Sequence, residues 1–142
     1  MDHVVYVDTI AKELEALIEG KKTMIVRGAA GRKVPHGKVN VGDTLYFIRN
    51  NAEGTLQAKA EVIDVHYSDK LNAEESMSLL NNNQNKLQLT EKQYKRWGGK
   101  RYLTLITIKD IQKIDTLAFD RNRFSNSMDD WLIIGDISEA IK

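Results

Sequence analysis

Gly20-Lys21-Lys22-Thr23-Met24-Ile25-Val26-Arg27 runs from the end of an amphipathic segment into a short apolar one, and the rest of the chain is organised around that junction. From Gly20 to Gly42 the sequence carries Lys21, Lys22, Arg27, Arg32, Lys33, His36 and Lys38 without an Asp or Glu. The whole chain has a formal net charge of only +1, so this clustering builds a local field that overall composition conceals. Acids stand on both sides, with Asp8, Glu13, Glu15 and Glu19 before and Asp43, Glu53, Glu61 and Asp64 after. The pattern predicts a polarised surface with an anionic partner, and phosphate is the first ligand to consider.

Upstream of the junction, Asp8 or Thr9 caps a predicted helix whose apolar residues are Ile10, Leu14, Leu17 and Ile18, and Gly20 ends it. Thr23 to Arg27 then reads as a strand, with Met24 and Val26 on one face and Thr23, Ile25 and Arg27 on the other. Gly28, Gly31, Pro35, Gly37 and Gly42 mark a long irregular connection, and in small domains such connections are often functional. Backbone N–H groups near Gly28 and Gly31 would supply neutral donors to an anion if this loop forms a nest.

Downstream, Thr44–Arg49, the polar turn at Asn50–Gly54 and Leu56–Tyr67 read as a hairpin. Alternation in the longer strand blurs at Ile63 and Val65, which predicts burial of its far end on both faces. Asn72–Leu80 reads as a short helix with Glu74 and Glu75 in its first turn, and the Asn81–Asn85 tract as a polar loop. Thr90 opens another short helix, containing Tyr94 and Trp97 and closed by Gly98-Gly99. Arg101–Lys109 is a strand, followed by extended pieces at Leu117–Asp120 and Trp131–Ile134 and a turn from Asp136.

Composition sets outer bounds. With 142 residues, 42% hydrophobic and 29% charged, the chain supports one core, so residues 1–142 are expected to form a single domain. The absence of cysteine excludes disulfides, thiol chemistry and thiolate zinc sites. The amino terminus lacks the basic start and long apolar stretch of a signal peptide, and no apolar run approaches bilayer length. The expectation is a soluble, cytoplasmic protein with no membrane partner. His3, His36 and His66 form no metal-ligand pattern, so no metal and no cofactor are assigned.

The segment Gly20–Arg27 resembles the G-x-K-x-x-x-x-R signature of the ASCH domains, a branch of the PUA-like superfamily. Gly42-Asp43-Thr44-Leu45-Tyr46-Phe47 is similar to the Gly-Asp-x-Leu-x-Phe motif of that family, and Ala58–Val65 to the strand after it. The likeness extends from about Ile10 to Ile108. It implies an α+β fold: a small, mixed, partly open β-barrel with flanking helices. It also implies binding of RNA or a nucleotide-containing ligand at a basic cleft on the barrel rim.

Lys22 and Arg27 are the first candidates for that cleft, five residues apart and so about 16 Å apart if the strand is extended. Such a span suits two points on a nucleotide better than one phosphate; the competing reading is a pair of cations that bridge Glu19, Asp43 or another acid. Arg32, Lys33 and Lys38 widen the field unless they are simply solvated. Lys92, Lys95, Arg96, Lys100 and Arg101 surround Tyr94 and Trp97, an interleaving that single-stranded nucleic acid exploits through stacking and phosphate pairing. Trp97 also fits the inner stripe of an amphipathic helix, the commoner arrangement, which leaves Arg96, Lys100 and Arg101 as phosphate contacts. Alternation sets Tyr46 opposite Leu45 and Phe47, toward the barrel mouth, for packing or stacking.

The resemblance carries an alternative activity. Some small ASCH proteins are amidohydrolases acting on acetylated cytidine, and others are linked to RNA cleavage. The amidohydrolase pattern has a Lys that activates a Thr three residues later, with a Glu from the following helix assisting. Lys22 matches the Lys, and Glu74 or Glu75 the Glu, but Ile25 stands where the Thr is required. Thr23 adjoins Lys22 and should project from the opposite strand face. A ribonuclease would instead use Lys22 and Arg27 to stabilise developing charge, with a base that spacing does not identify.

Overall fold

In a computed structural model, which describes residues 1–124 and 129–142, the chain runs β1 (Asp2–Val7), α1 (Glu13–Ile18), β2 (Met24–Ala29), β3 (Thr44–Arg49) and β4 (Thr55–Tyr67). It continues through α2 (Ala73–Asn82), α3 (Gln84–Leu87), α4 (Glu91–Trp97), β5 (Tyr102–Ala118) and β6 (Trp131–Gly135), with 3-10 turns at Arg121–Arg123 and Ile137–Ala140. The six strands form one curled half-barrel sheet in the order β2-β5-β4-β3-β1-β6. Among the described residues, only β1 and β3 pair in parallel, and the other neighbouring strands pair antiparallel.

β1 is the element sequence reasoning missed. Val4, Val5 and Val7 are buried, and the strand lies between β3 and β6. Its presence lets the carboxy-terminal β6 reach the sheet, which brings Asp130 and Trp131 beside Tyr6.

The β2 strand is buried on both faces over Met24–Arg27. Ile25 enters the barrel core with Leu14, Leu17, Phe47, Ile106 and Trp131. Met24 and Val26 meet a second apolar layer containing Leu80, Leu87, Leu89 and Trp97 from the α2–α4 region. Burying each large apolar side chain contributes about 1.5–3 kcal/mol, so this double packing fixes the strand that carries Arg27. A third cluster contains Ile48, Leu56, Phe119 and Leu132.

The hairpin of β3 and β4 forms as expected, but the far end of β4 is not buried on both faces. Register shifts along the β4–β5 ladder turn that end outward, leaving Ile63, Asp64 and His66 exposed. Helix α1 is also shorter than predicted: it begins at Glu13, and Ile10 is 82% exposed in the turn before it. Asn72 and Thr90 each make a complete capping box, with Glu75 and Gln93 respectively. The asparagine tract is largely helical, not a loop: α2 extends through Asn82, and α3 follows from Gln84. Gly98 ends α4, donating its N–H to Tyr94 O at 2.8 Å. A Cβ there would lie 2.4 Å from Met77 Sδ, so glycine permits the close approach that seats Trp97 against α2.

Candidate functional site

The sheet stays open between its edge strands, and Arg27 spans the gap near β1. Its Nη1 donates to Val26 O at 2.8 Å and its Nη2 to Tyr6 O at 2.7 Å. The side chain is only 6% exposed, although it is the most polar group on β2. Carboxylates on two sides offset the cost of burying it: Arg27 Nη2 lies 4.0 Å from Glu13 Oε1, and Nε lies 3.2 Å from Asp130 Oδ2. The guanidinium carbon is 5.7 Å from the Trp97 ring centre and 5.9 Å from that of Trp131.

Lys22 reaches the same carboxylate from behind. Its Nζ donates to Leu87 O at 2.5 Å and lies 3.5 Å from Glu13 Oε2. That oxygen also accepts from Gln93 Nε2 at 2.9 Å. Burial pushes the Lys22 ammonium below its ordinary pKa; the attraction of Glu13 opposes this shift, and the charge of Arg27 adds to it. Lys22 and Arg27 therefore converge on one acid, not on two separated points. Neither Glu19 nor Asp43 supplies that acid: it is Glu13, which the sequence shows only as a member of the flanking acidic group.

Glu13, Arg27 and Gln93 form the floor of a cleft of about 430 Å³. Tyr6, Asp8, Asn50 and Trp97 line its walls, and Lys92, Arg96 and Asp130 stand at its margin. Three acids, Asp8, Glu13 and Asp130, face three cations, Arg27, Lys92 and Arg96. The cavity is thus charge-balanced, because folding returns the amino- and carboxy-terminal acids to the basic segment. Trp97 is 7% exposed and packs in the helix-side core, as the amphipathic reading expects, and it also lines this cleft.

The other candidate residues are distributed around this centre. Arg96 stacks on Trp97 with its guanidinium carbon 4.3 Å from the ring centre, and its Nη2 donates to Asp130 Oδ2 at 3.4 Å. Arg32 lies over Tyr102 at 5.5 Å, and Lys33 pairs with Asp129 at 3.1 Å. Lys38, Lys100 and Arg101 are exposed. Gly28 does not contribute to a nest: it lies in β2, paired with Leu103 of β5.

Tyr46 lies elsewhere. It is half-buried and lines a separate, shallow hollow of about 280 Å³ with Thr44, Lys59, Glu61, Asp110 and Gln112. Burial, then the nearby charges of Asp2 and Asp136, raise its phenol pKa. Glu74 and Glu75 are exposed on α2 and line another surface hollow with His66 and Leu79. The carboxylate that contacts Lys22 comes instead from α1.

Behind the cleft, the fully buried His3 connects two parts of the framework. Trp131 Nε1–H donates to His3 Nδ1 at 3.1 Å, which leaves His3 Nε2–H to donate to Asp43 Oδ2 at 2.8 Å. Burial opposes ionisation of Asp43, but hydrogen bonds from Asn40 and His3, with the charge of the amino terminus, hold its pKa below the ordinary value. Among the described residues, no group of three or more His, Cys, Asp or Glu side chains is arranged to hold a metal ion. No helix among them is long and apolar enough to cross a membrane.

No protein-family model matches the chain, and no curated protein matches it in sequence. Its fold, however, resembles solved structures. The crystal structure of ASCH from Zymomonas mobilis matches with a TM-score of 0.70 and 16% identity, covering 97% of this chain and 91% of that one. A serine-to-alanine mutant of that protein matches with a TM-score of 0.68 and 18% identity, covering 97% of this chain and 92% of that one. At these identities the likeness is one of fold, and this chain has an ASCH-like fold.

Proposed function

We propose that this protein binds RNA or a nucleotide-containing ligand in the cleft floored by Glu13, Arg27 and Gln93. The observation that carries this reading is the buried Arg27 guanidinium, set near Trp97 and Trp131 and paired with acids that line the same cavity. A nucleobase has flat apolar faces and a polar edge. A cavity with an aromatic wall and a charged donor and acceptor on its floor complements both features. Glu13 accepts from base N–H groups, Arg27 and Gln93 donate to ring or carbonyl acceptors, and Lys92 and Arg96 take the phosphate. Charge balance favours this division over capture of a bare anion, since Asp8, Glu13 and Asp130 repel one. The ASCH-like fold supports the reading through the family resemblance. Exposed Arg32, Lys33, Lys38, Lys100 and Arg101 extend the proposed RNA footprint, whereas Tyr46 lies outside the cleft.

A fluorescence titration with a mixed-sequence oligoribonucleotide tests this. Binding should quench Trp97 and weaken with salt, with a slope of about −1.4 if two rim cations each neutralise one phosphate of a single strand. Glu13→Gln should weaken binding at fixed salt. Undiminished affinity in a folded Glu13→Gln variant rejects the assignment.

One observation favours hydrolysis of an acylated nucleoside as a second reading: the Lys22 ammonium has a lowered pKa and contacts the buried Glu13, a pair suited to proton transfer. Ile25, at the position of the required Thr, is fully buried, so this reading needs water as nucleophile. Incubation with acetylated cytidine should then release acetate, and Lys22→Met should abolish that release.

A further inference from the structure

Asp130 contacts two arginines through a single oxygen. Its Oδ2 lies 3.2 Å from Arg27 Nε and 3.4 Å from Arg96 Nη2. Charge-assisted N–H···O bonds are usually about 2.7–2.9 Å, and guanidinium groups favour a fork onto separate oxygens. Neither condition is met here. Arg27 Nε is buried and has no aligned hydrogen-bond acceptor despite the nearby carboxylate, while the two terminal nitrogens of the same group are engaged by Val26 O and Tyr6 O. Arg27 is a built part of the framework, more than nine-tenths buried, whereas the Asp130 side chain is 32% exposed. Trp97 carries both arginines, which fixes the cationic side of the arrangement independently of Asp130.

We infer that Asp130 acts as an internal anion occupying a subsite for a phosphate group between Arg27 and Arg96. This inference rests on the nucleotide-binding reading of the same cleft and adds a specific point of phosphate contact. A phosphate offers several oxygens and more charge than one carboxylate. It can satisfy Arg27 Nε and Arg96 Nη2 with different atoms, displacing the Asp130 side chain toward water. The exchange makes Asp130 a competitor of the ligand: its removal strengthens phosphate binding, the opposite of the effect expected for a residue that supports the site. Asp8 and Glu13 remain across the cleft and limit the gain, while Lys92 adds to the attraction.

The test uses the full chain, its Asp130→Asn and Asp130→Ala variants, and Asp130→Asn combined with Arg96→Ala, each checked for folding by circular dichroism. Calorimetric titration with inorganic phosphate at low ionic strength should give about tenfold tighter binding for either single variant, with the gain lost in the combined variant. Unchanged or weaker phosphate affinity in the folded single variants overturns the subsite, as does a gain that survives Arg96→Ala. A parallel titration with uridine monophosphate separates this inference from the broader one. If phosphate affinity rises but uridine monophosphate binds no better than phosphate alone, the nucleotide reading fails and the subsite stands. If the nucleotide binds but phosphate affinity does not rise, the subsite fails and the nucleotide reading stands.

Discussion

The Lys22 ammonium lies 3.5 Å from the buried carboxylate of Glu13, and this pair joins the helix before the basic strand to the floor of the cleft. Removing one member leaves the other without its opposite charge. Glu13→Gln is expected to lower stability by about 3–5 kcal/mol, because Lys22 and Arg27 both lose a counter-ion. Glu13→Leu combined with Lys22→Met should recover much of that loss while leaving ligand binding impaired. Urea unfolding of Glu13→Leu, Lys22→Met and the combined variant measures the coupling, and simple additivity would show that the contact is energetically idle.

Lys22 also predicts an alkaline effect. Its folded-state pKa is below the ordinary 10.5, so the unfolded chain holds the extra proton in the window between the two values. Stability from this group therefore rises as pH increases through that window. Comparing urea midpoints of the native chain and Lys22→Met from neutral pH to about pH 10 isolates this contribution. The native chain should gain relative to the variant; a relative loss would reverse the assigned shift.

Asp43 gives the acid counterpart. Its folded pKa is below the ordinary 3.8, so its contribution is fully present above that value and is lost as pH falls through the folded pKa. Asp43→Asn should cost about 1–3 kcal/mol at pH 7 through the altered bonding to His3 and Asn40 N, and should flatten the acid limb of the stability profile. Denaturant midpoints at pH 7 and about pH 3 are the relevant pair of measurements.

Trp97 serves packing and the cleft together. Trp97→Leu should destabilise the domain by about 2–4 kcal/mol. It should also weaken oligoribonucleotide binding by roughly tenfold to a hundredfold, the range expected for one lost base stack. Trp97→Phe, which keeps an aromatic face, should fall between the native chain and Trp97→Leu in the same titration.

Much of the fold is written locally. The Gly20–Arg27 junction, the Gly42–Phe47 strand opening and the Thr90 capping box all act over a few residues, and each forms where spacing and cap chemistry predict. What spacing could not reveal was long-range. Glu13 meets Gln93 across the fold, and Asp130 joins Arg27 only because β6 pairs with β1. The signal for Glu13 was present but faint: it sits one position before Leu14 and four before Leu17, on the side of α1 that turns inward. Lys22 and Arg27 were legible as a pair, but their shared acid was not. Their expected separation described two surface points, whereas burial turns both side chains toward Glu13. Tyr46 followed its strand alternation correctly, yet alternation does not distinguish the cleft from the outer hollow.

The proposed ligand site is the Glu13–Arg27 cleft. A two-dimensional amide and indole NMR titration of the full chain with a mixed-sequence oligoribonucleotide tests it directly. Chemical-shift changes should concentrate at α1, Arg27, Gln93 and the Trp97 indole, with Arg96 and Lys92 at their margin. Changes centred on Tyr46, Lys59 and Gln112, or no changes at concentrations that saturate an established RNA-binding domain, would contradict it.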